Sequence, residues 1–259
     1  VGAFVCTLIV LDRIVPDFPV IAAANRDEFF SRPATGPQRL SSDPWIVGPR
    51  DEEAGGTWIG VGEGGLFAGL TNRPHEGGRD PSRRSRGEVT LEALKSGSAG
   101  AAMAAVEALP ADRYNGFHLF CAGRDGAAVA SYGADRSSRR LSPGLQVLTN
   151  HGVNRTGESK VERIRALIGE VERIASVEQA LDLLEGVLRD HHGEAILERV
   201  CVHTEHYGTR SSTLLALHQS DPLRAIYRHT DGPSCETPWK DASELLREGP
   251  YEGAVGGTA

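Results

Sequence analysis

The sequence predicts an α+β fold in which two β-sheets carry helices on their outer faces. The hydrophobic segments run strands, one helical region, strands, a helix pair, strands. This order does not alternate strictly, as a doubly wound parallel sheet requires. A glycine-rich connection, Gly62-Glu63-Gly64-Gly65, joins two short apolar runs with the punctuation of a β-hairpin. No internal repeat and no linker divides the 259 residues, so one domain over 1–259 is expected.

The elements follow in order. Strands are expected over 6–11 and 20–24, on either side of the turn-like Val15-Pro16-Asp17, and over 57–61 and 66–70 around the glycine turn. Residues 31–50 are rich in Pro, Ser and Arg and read as an irregular loop, and 75–85 as another. Residues 90–109 read as helix weakened by Gly97 and Gly100, and so as one helix or two. Strands return over 116–122, 127–131 and 145–149. The clearest helix is 161–174, where Val161, Ile164, Leu167, Ile168 and Val171 share one face. Ser176-Val177-Glu178-Gln179 reads as a capping box opening a second helix to 189, with Leu181, Leu184, Val187 and Leu188 inward. The last strands are expected over 199–203, 213–218 and 225–228, and the Gly-rich tail from 249 should fray.

Composition narrows the function. Lys and Arg total 28 against 35 Asp and Glu, for a formal charge of −7, which argues against general nucleic-acid binding. The basic clusters Arg83-Arg84-Ser85-Arg86 and 136–140 read as solvated loop charge. No stretch reaches the roughly 18 apolar residues of a membrane span, and no basic region leads into a long apolar core as in a signal peptide. Cys6, Cys121, Cys201 and Cys235 have neither C-x-x-C nor zinc-ribbon spacing, so reduced thiols and a cytoplasmic location are expected.

Two motifs dissolve on inspection. Gly60-Val61-Gly62-Glu63-Gly64-Gly65 fits G-x-G-x-x-G, but Leu66-Phe67-Ala68-Gly69-Leu70 continues as strand, not as the helix that binds a pyrophosphate. His203-Thr204-Glu205-His206 and His191-His192 lack the helical H-E-x-x-H spacing, and there is no C-x-x-C-H for haem attachment. His191 and His192 fit a helix end, where they meet the negative pole of the dipole. No metal site and no cofactor are expected.

Polar clusters at strand ends are the candidates for chemistry: Cys6, Asn25-Arg26-Asp27-Glu28, Thr71-Asn72-Arg73, Thr149-Asn150 and the stretch from Tyr207 to Thr213. Taken singly, the asparagines read as turn residues, Asp27 as a cap and Cys6 as a small core hydrophobe. Taken together, they mark a site built on a rigid frame.

These segments resemble the NRDE protein family, which includes transport and Golgi organization protein 2. The resemblance runs over nearly the whole chain. It rests on Cys6-Thr7-Leu8-Ile9, the stretch from Ala24 to Pro33, Gly55-Gly56-Thr57-Trp58, Leu70-Thr71-Asn72-Arg73, Ser85-Arg86-Gly87 and the stretch from Tyr207 to Thr213. It implies association with Golgi organisation, lipid and acyl-CoA handling, or intracellular haem trafficking. The segments are also distantly similar to the N-terminal nucleophile hydrolases of the choloylglycine hydrolase and penicillin acylase group. That similarity implies a four-layer αββα sandwich. It places Cys6 at the nucleophile, Arg26 and Asp27 at the pair that holds thiolate and amine, Asn72 and Asn150 at the oxyanion site, and Arg210 at a late active-site arginine.

The implied chemistry is coherent. A thiolate attacks a carbonyl while the α-amino group of the same residue moves the proton; that amine's ordinary pKa of about 8 suits a general base. Arg26 and Arg210 would lower the thiol pKa. Each asparagine donating to the oxyanion is worth roughly 3–4 kcal/mol. Residues 1–5 precede Cys6, so its nitrogen is an amide as written. The mechanism then expects either that Val5 is a misread GUG start codon or that the Val5–Cys6 bond is cleaved autocatalytically. The expected function is an N-terminal-cysteine amidohydrolase or acyltransferase acting on a small amide or thioester. The alternatives are a non-catalytic carrier of haem or an acyl lipid in the same cleft, with haem as ligand only, and a structural interaction protein.

Overall fold

The structure, a computed structural model, describes residues 6–74 and 78–249. The expected extension over 1–5 and the tail beyond Gly249 lie outside the described residues. In chain order the strands and helices are β1 (Thr7–Val15), β2 (Phe18–Phe29), β3 (Ala34–Ser42), β4 (Trp45–Asp51), β5 (Ile59–Gly62), β6 (Phe67–Asn72), α1 (Gly87–Leu94), α2 (Ala99–Glu107), β7 (Phe117–Gly123), β8 (Gly126–Tyr132) and β9 (Ser137–Leu141). They continue with β10 (Gly144–Thr149), β11 (Gly152–Val153), α3 (Ser159–Ile168), α4 (Val177–Leu188), β12 (Tyr207–Leu217), β13 (Ile226–Thr230), β14 (Lys240–Asp241) and α5 (Glu244–Arg247).

Two seven-stranded antiparallel sheets result, ordered β11-β10-β1-β2-β12-β13-β14 and β3-β4-β5-β6-β7-β8-β9. Alternation along the central strands explains the layers. On β1, Leu8 and Val10 face the second sheet and join Val47, Phe67, Phe120 and Leu215 in the core between the sheets. Ile9 and Leu11 face the other way and pack with Ile164 of α3 and Leu184 of α4. The outer face of the second sheet, with Ile46, Ala68 and Leu119, is covered by Val89 and Leu94 of α1 and Met103 of α2. Strands buried on both faces read as unbroken apolar runs, and this is why β1 and β2 were legible. The fold is a four-layer αββα sandwich.

Several boundaries differ from the sequence reading. Residues 31–50 are not a loop: β3 and β4 pair there, with two irregularities in register. β3 is an edge strand with little burial, so it carries no alternating pattern to detect. The cluster 136–140 likewise contains edge strand β9, and Arg136 stacks over Tyr132 at 4.6 Å. α3 stops at Ile168 because Gly169 takes φ 68°, a conformation suited to ending a helix. The helical region at 90–109 is two helices, broken at Gly97 with φ 74°. Residues 199–203 form no strand; His203 makes only an isolated bridge to Gly208. The Ser176 cap is present, its hydroxyl accepting from the Gln179 amide at 3.2 Å.

The glycine turn is the hairpin it resembled, with β5 and β6 antiparallel around it. A Cβ on Gly62 would lie 2.2 Å from the Leu94 carbonyl oxygen, so this glycine lets the end of α1 rest on the sheet.

Candidate active site

Cys6 directly precedes β1, at the edge of a cavity of about 350 Å3. Its side chain lies on the wall with Arg26 from β2, Trp58 before β5, Asn72 at the end of β6 and Arg86 before α1. The neighbouring strands meet there by register: Thr7 opposes Asn25 on one side, and Leu8 opposes Leu148 on the other.

The nitrogen of Cys6 donates to Asn150 Oδ1 at 3.0 Å. Asn150 is itself held by His118, whose Nε2 donates to its carbonyl at 3.2 Å while Nδ1 meets Ser131 Oγ at 2.8 Å. Burial pushes His118 down to about 4, so the ring is neutral and that arrangement of donor and acceptor persists at neutral pH. A chain of contacts thus runs from Ser131 through His118 and Asn150 to the nitrogen of Cys6.

The thiol is not activated as the sequence led us to expect. Burial pushes it up to about 12, and the nearby Asp27 carboxylate adds to the rise. The Asp27 carbonyl accepting from Sγ at 3.9 Å and the Arg26 charge only partly oppose this.

Asn25, Arg26 and Asp27 alternate across the strand. Asn25 is a structural clasp: its Nδ2 donates to the carbonyls of Leu188 and Val200, each at 2.9 Å, and Ser212 Oγ donates to its Oδ1 at 2.7 Å. Asp27 Oδ1 accepts from Thr209 Oγ1 at 2.7 Å, and Lys160 supplies the nearby positive charge. Burial still raises the Asp27 carboxyl to about 7. Arg26 lines the cavity, stacked over Trp58 at 4.2 Å, with Glu28 at 3.7 Å and Asp51 at 3.5 Å. Its buried Nη1 has no hydrogen-bond partner among the described residues.

Four of the six expected residues therefore surround Cys6 closely, counting Cys6 itself: Cys6, Arg26 and Asn72 on the cavity wall and Asn150 at the nitrogen. Asp27 reaches the sulfur through its backbone, not its carboxylate. Arg210 is not among the residues lining the cavity. It sits at the irregularity where β12 pairs with β2, and its charge acts on His229 and Asp231. The strand bulge turned this side chain toward β13, which the linear motif does not reveal.

A scan of the sequence against family models matches Transport and Golgi organisation 2 over residues 5–231. The chain belongs to this family. Among curated relatives, the Transport and Golgi organization protein 2 homolog of Bos taurus is 32% identical over 264 residues, covering 89% of this chain and 93% of its own. The Homo sapiens homolog is 29% identical over 229 residues, covering 76% and 82%. Solved structures share the fold at low identity. A conjugated bile acid hydrolase from Clostridium perfringens aligns with TM-score 0.58 and 13% identity, over 94% of this chain and 95% of that one. Penicillin V acylase from Agrobacterium tumefaciens aligns with TM-score 0.53 and 13% identity, over 94% and 88%.

Segments that carried the resemblance to the family now have physical reasons. Gly56 and Gly87 touch backbone to backbone: a Cβ on Gly56 would lie 2.5 Å from the Gly87 carbonyl carbon. That close approach sets Trp58 and Arg86 on the same cavity wall. Arg86, read as solvated charge, is half-buried, and burial beside Arg79 lowers it to about 10. The paired glycines were the available signal for this site residue. For His118, a histidine within an apolar run, the sequence offered none.

Proposed function

We propose that this chain is an N-terminal-cysteine amidohydrolase or acyltransferase whose substrate is a small amide or thioester bearing an anionic group. The observation that carries the reading is a cysteine on a cavity wall with its own nitrogen anchored by Asn150 Oδ1 at 3.0 Å. The anionic group follows from the lining: among the described residues, Arg26 and Arg32 pair with Glu28, Asp51 and Glu53, Arg83 with Asp80 and Asp112, and Arg84 with Glu88, which leaves the charges of Arg79 and Arg86 for a ligand. The fold shared with a penicillin V acylase supports it.

The chemistry requires Cys6 to be the first residue, by a start at the Val5 codon with loss of the initiating Met or by cleavage of the Val5–Cys6 bond. Its free amine then takes the thiol proton, and the resulting ammonium stabilises the thiolate that burial otherwise disfavours. Sulfur attacks the substrate carbonyl, and Asn72 donates to the oxyanion from the cavity wall. Collapse expels the amine or thiol with the proton from the ammonium. Water, or a second nucleophile, releases the acyl group. Asn150 accepts from the nitrogen through Oδ1, so it positions the base, and only its Nδ2 can donate to the oxyanion.

The test is turnover of a panel of anionic amides and acyl thioesters by protein beginning at Cys6, with intact mass confirming the start. The Cys6→Ala form should lose turnover and keep the fold. A protein that begins at Cys6, forms no acyl adduct and turns over nothing would overturn the enzyme reading. Haem or acyl-lipid binding in the same cleft, measured by absorbance or fluorescence titration, would then favour the carrier.

A further inference from the structure

Away from the cavity, four side chains from two segments converge: His191, Cys201 and His203 from the connection between α4 and β12, and Cys235 after β13. One ligand atom from each lies within 4.8 Å of all the others. His191 Nε2 and His203 Nε2 are 3.2 Å apart. His203 Nε2 is 3.4 Å from Cys201 Sγ and 3.3 Å from Cys235 Sγ. The two sulfurs are 3.6 Å apart.

From these distances we propose a structural Zn2+ site of the closed Cys2His2 type at His191, Cys201, His203 and Cys235. Hydrogen bonding does not account for the cluster. His203 Nε2 carries either one hydrogen or one lone pair, yet it meets three groups at 3.2–3.4 Å. A tetrahedral ion does account for it. With Zn–S of about 2.3 Å and Zn–N of about 2.05 Å, tetrahedral edges are roughly 3.8 Å for S···S, 3.6 Å for S···N and 3.3 Å for N···N. Of the six edges, the four given above lie within about 0.3 Å of those values, and the two from His191 to the sulfurs are no longer than 4.8 Å.

The charge balances as well. Two thiols release two protons on binding, and two thiolates with two neutral imidazoles leave the Zn2+ centre with no net charge. Such a centre suits a place where Cys201 is fully buried. Glu236 Oε1 lies 3.8 Å from His203 Nδ1, beyond hydrogen-bond distance but on the side from which a carboxylate would orient a ligating imidazole. His191 is exposed, which gives the ion a path in.

The site has a structural task. Between α4 and β12 the chain runs from Arg189 to His206 with only one short 3-10 turn, at Ile196–Glu198. Segments of that length without structure of their own are uncommon in compact domains. This one is placed with care: the Val200 carbonyl accepts from Asn25, and the Val202 amide donates to Thr209 Oγ1 at 2.9 Å, the hydroxyl that also holds Asp27. A metal at the cluster crosslinks the segment to the Cys235 turn and fixes the floor under the nucleophile.

Zinc content of the full chain by mass spectrometry should be one equivalent. After chelation under reducing conditions, added Co2+ should give the intense visible bands and thiolate charge-transfer absorption of a tetrahedral S2N2 site. His191→Ala, at an exposed position, and Cys235→Ala should each weaken Zn2+ binding by more than about a hundredfold, beyond the loss from a typical outer-shell change. His206→Ala, an exposed histidine outside the cluster, should leave binding unchanged. A six-coordinate Co2+ spectrum, or equal affinity in the His191→Ala and Cys235→Ala forms, would overturn the proposal. So would a Cys201–Cys235 disulfide in the isolated protein whose reduced form binds no Zn2+ or Co2+.

Discussion

Asn25→Ala separates the structural from the chemical residues of the Asn25-Arg26-Asp27-Glu28 stretch. Asn25 is 1% exposed and makes three hydrogen bonds, two to carbonyls and one from Ser212. Truncation removes all three. The Leu188 and Val200 carbonyls, at the end of α4 and in the segment before β12, lose this donor inside the protein. A net loss of roughly 1 kcal/mol per bond, raised by the desolvation of stranded groups, gives about 3–5 kcal/mol. The assay is urea unfolding followed by circular dichroism, fitted with a common slope. Ser212→Ala alone should cost about 1 kcal/mol. In the double variant the costs should fall short of additive, because the two residues share a bond. A loss below about 1 kcal/mol for Asn25→Ala would refute the clasp and return Asn25 to the candidates for chemistry.

Three further outcomes are expected. Asp27 keeps its proton up to about pH 7 when folded but titrates near 3.9 when unfolded, so its burial is harmless below about pH 4 and destabilises as pH rises through 7, by at most about 4 kcal/mol. Asp27→Asn should flatten that pH slope in unfolding measurements; an unchanged slope refutes the buried proton. Arg86→Met should weaken binding of pyrophosphate, an anionic probe, by about ten- to a hundredfold in calorimetry, with little change in the unfolding midpoint; equal affinity would remove Arg86 from the anion site. Ser176→Ala should cost about 1 kcal/mol in urea unfolding through loss of the helix cap, and no change would show the cap to be idle.

The sequence by itself determined the central elements. β1, β2, β6 and β7 are buried on both faces, so their apolar runs are unbroken, and α4 announces itself with a cap and an amphipathic stripe. It also placed Cys6, Arg26 and Asn72 at strand ends, and these meet because neighbouring strands share register and the two sheets stack. Edge strands β3 and β9 were silent, since an edge needs little apolar surface. Tertiary structure alone decided the electrostatics. Burial beside Asp27 raises the Cys6 thiol against the pull of Arg26, and desolvation depends on every layer above the residue. It also decided where Arg210 points, through one strand irregularity. The convergence of His191, Cys201, His203 and Cys235 was likewise unreadable, because their spacing matches no local ligand motif. Two segments, 189–206 and the turn at Cys235, meet there only after α4 has packed on the first sheet and β13 has paired with β12.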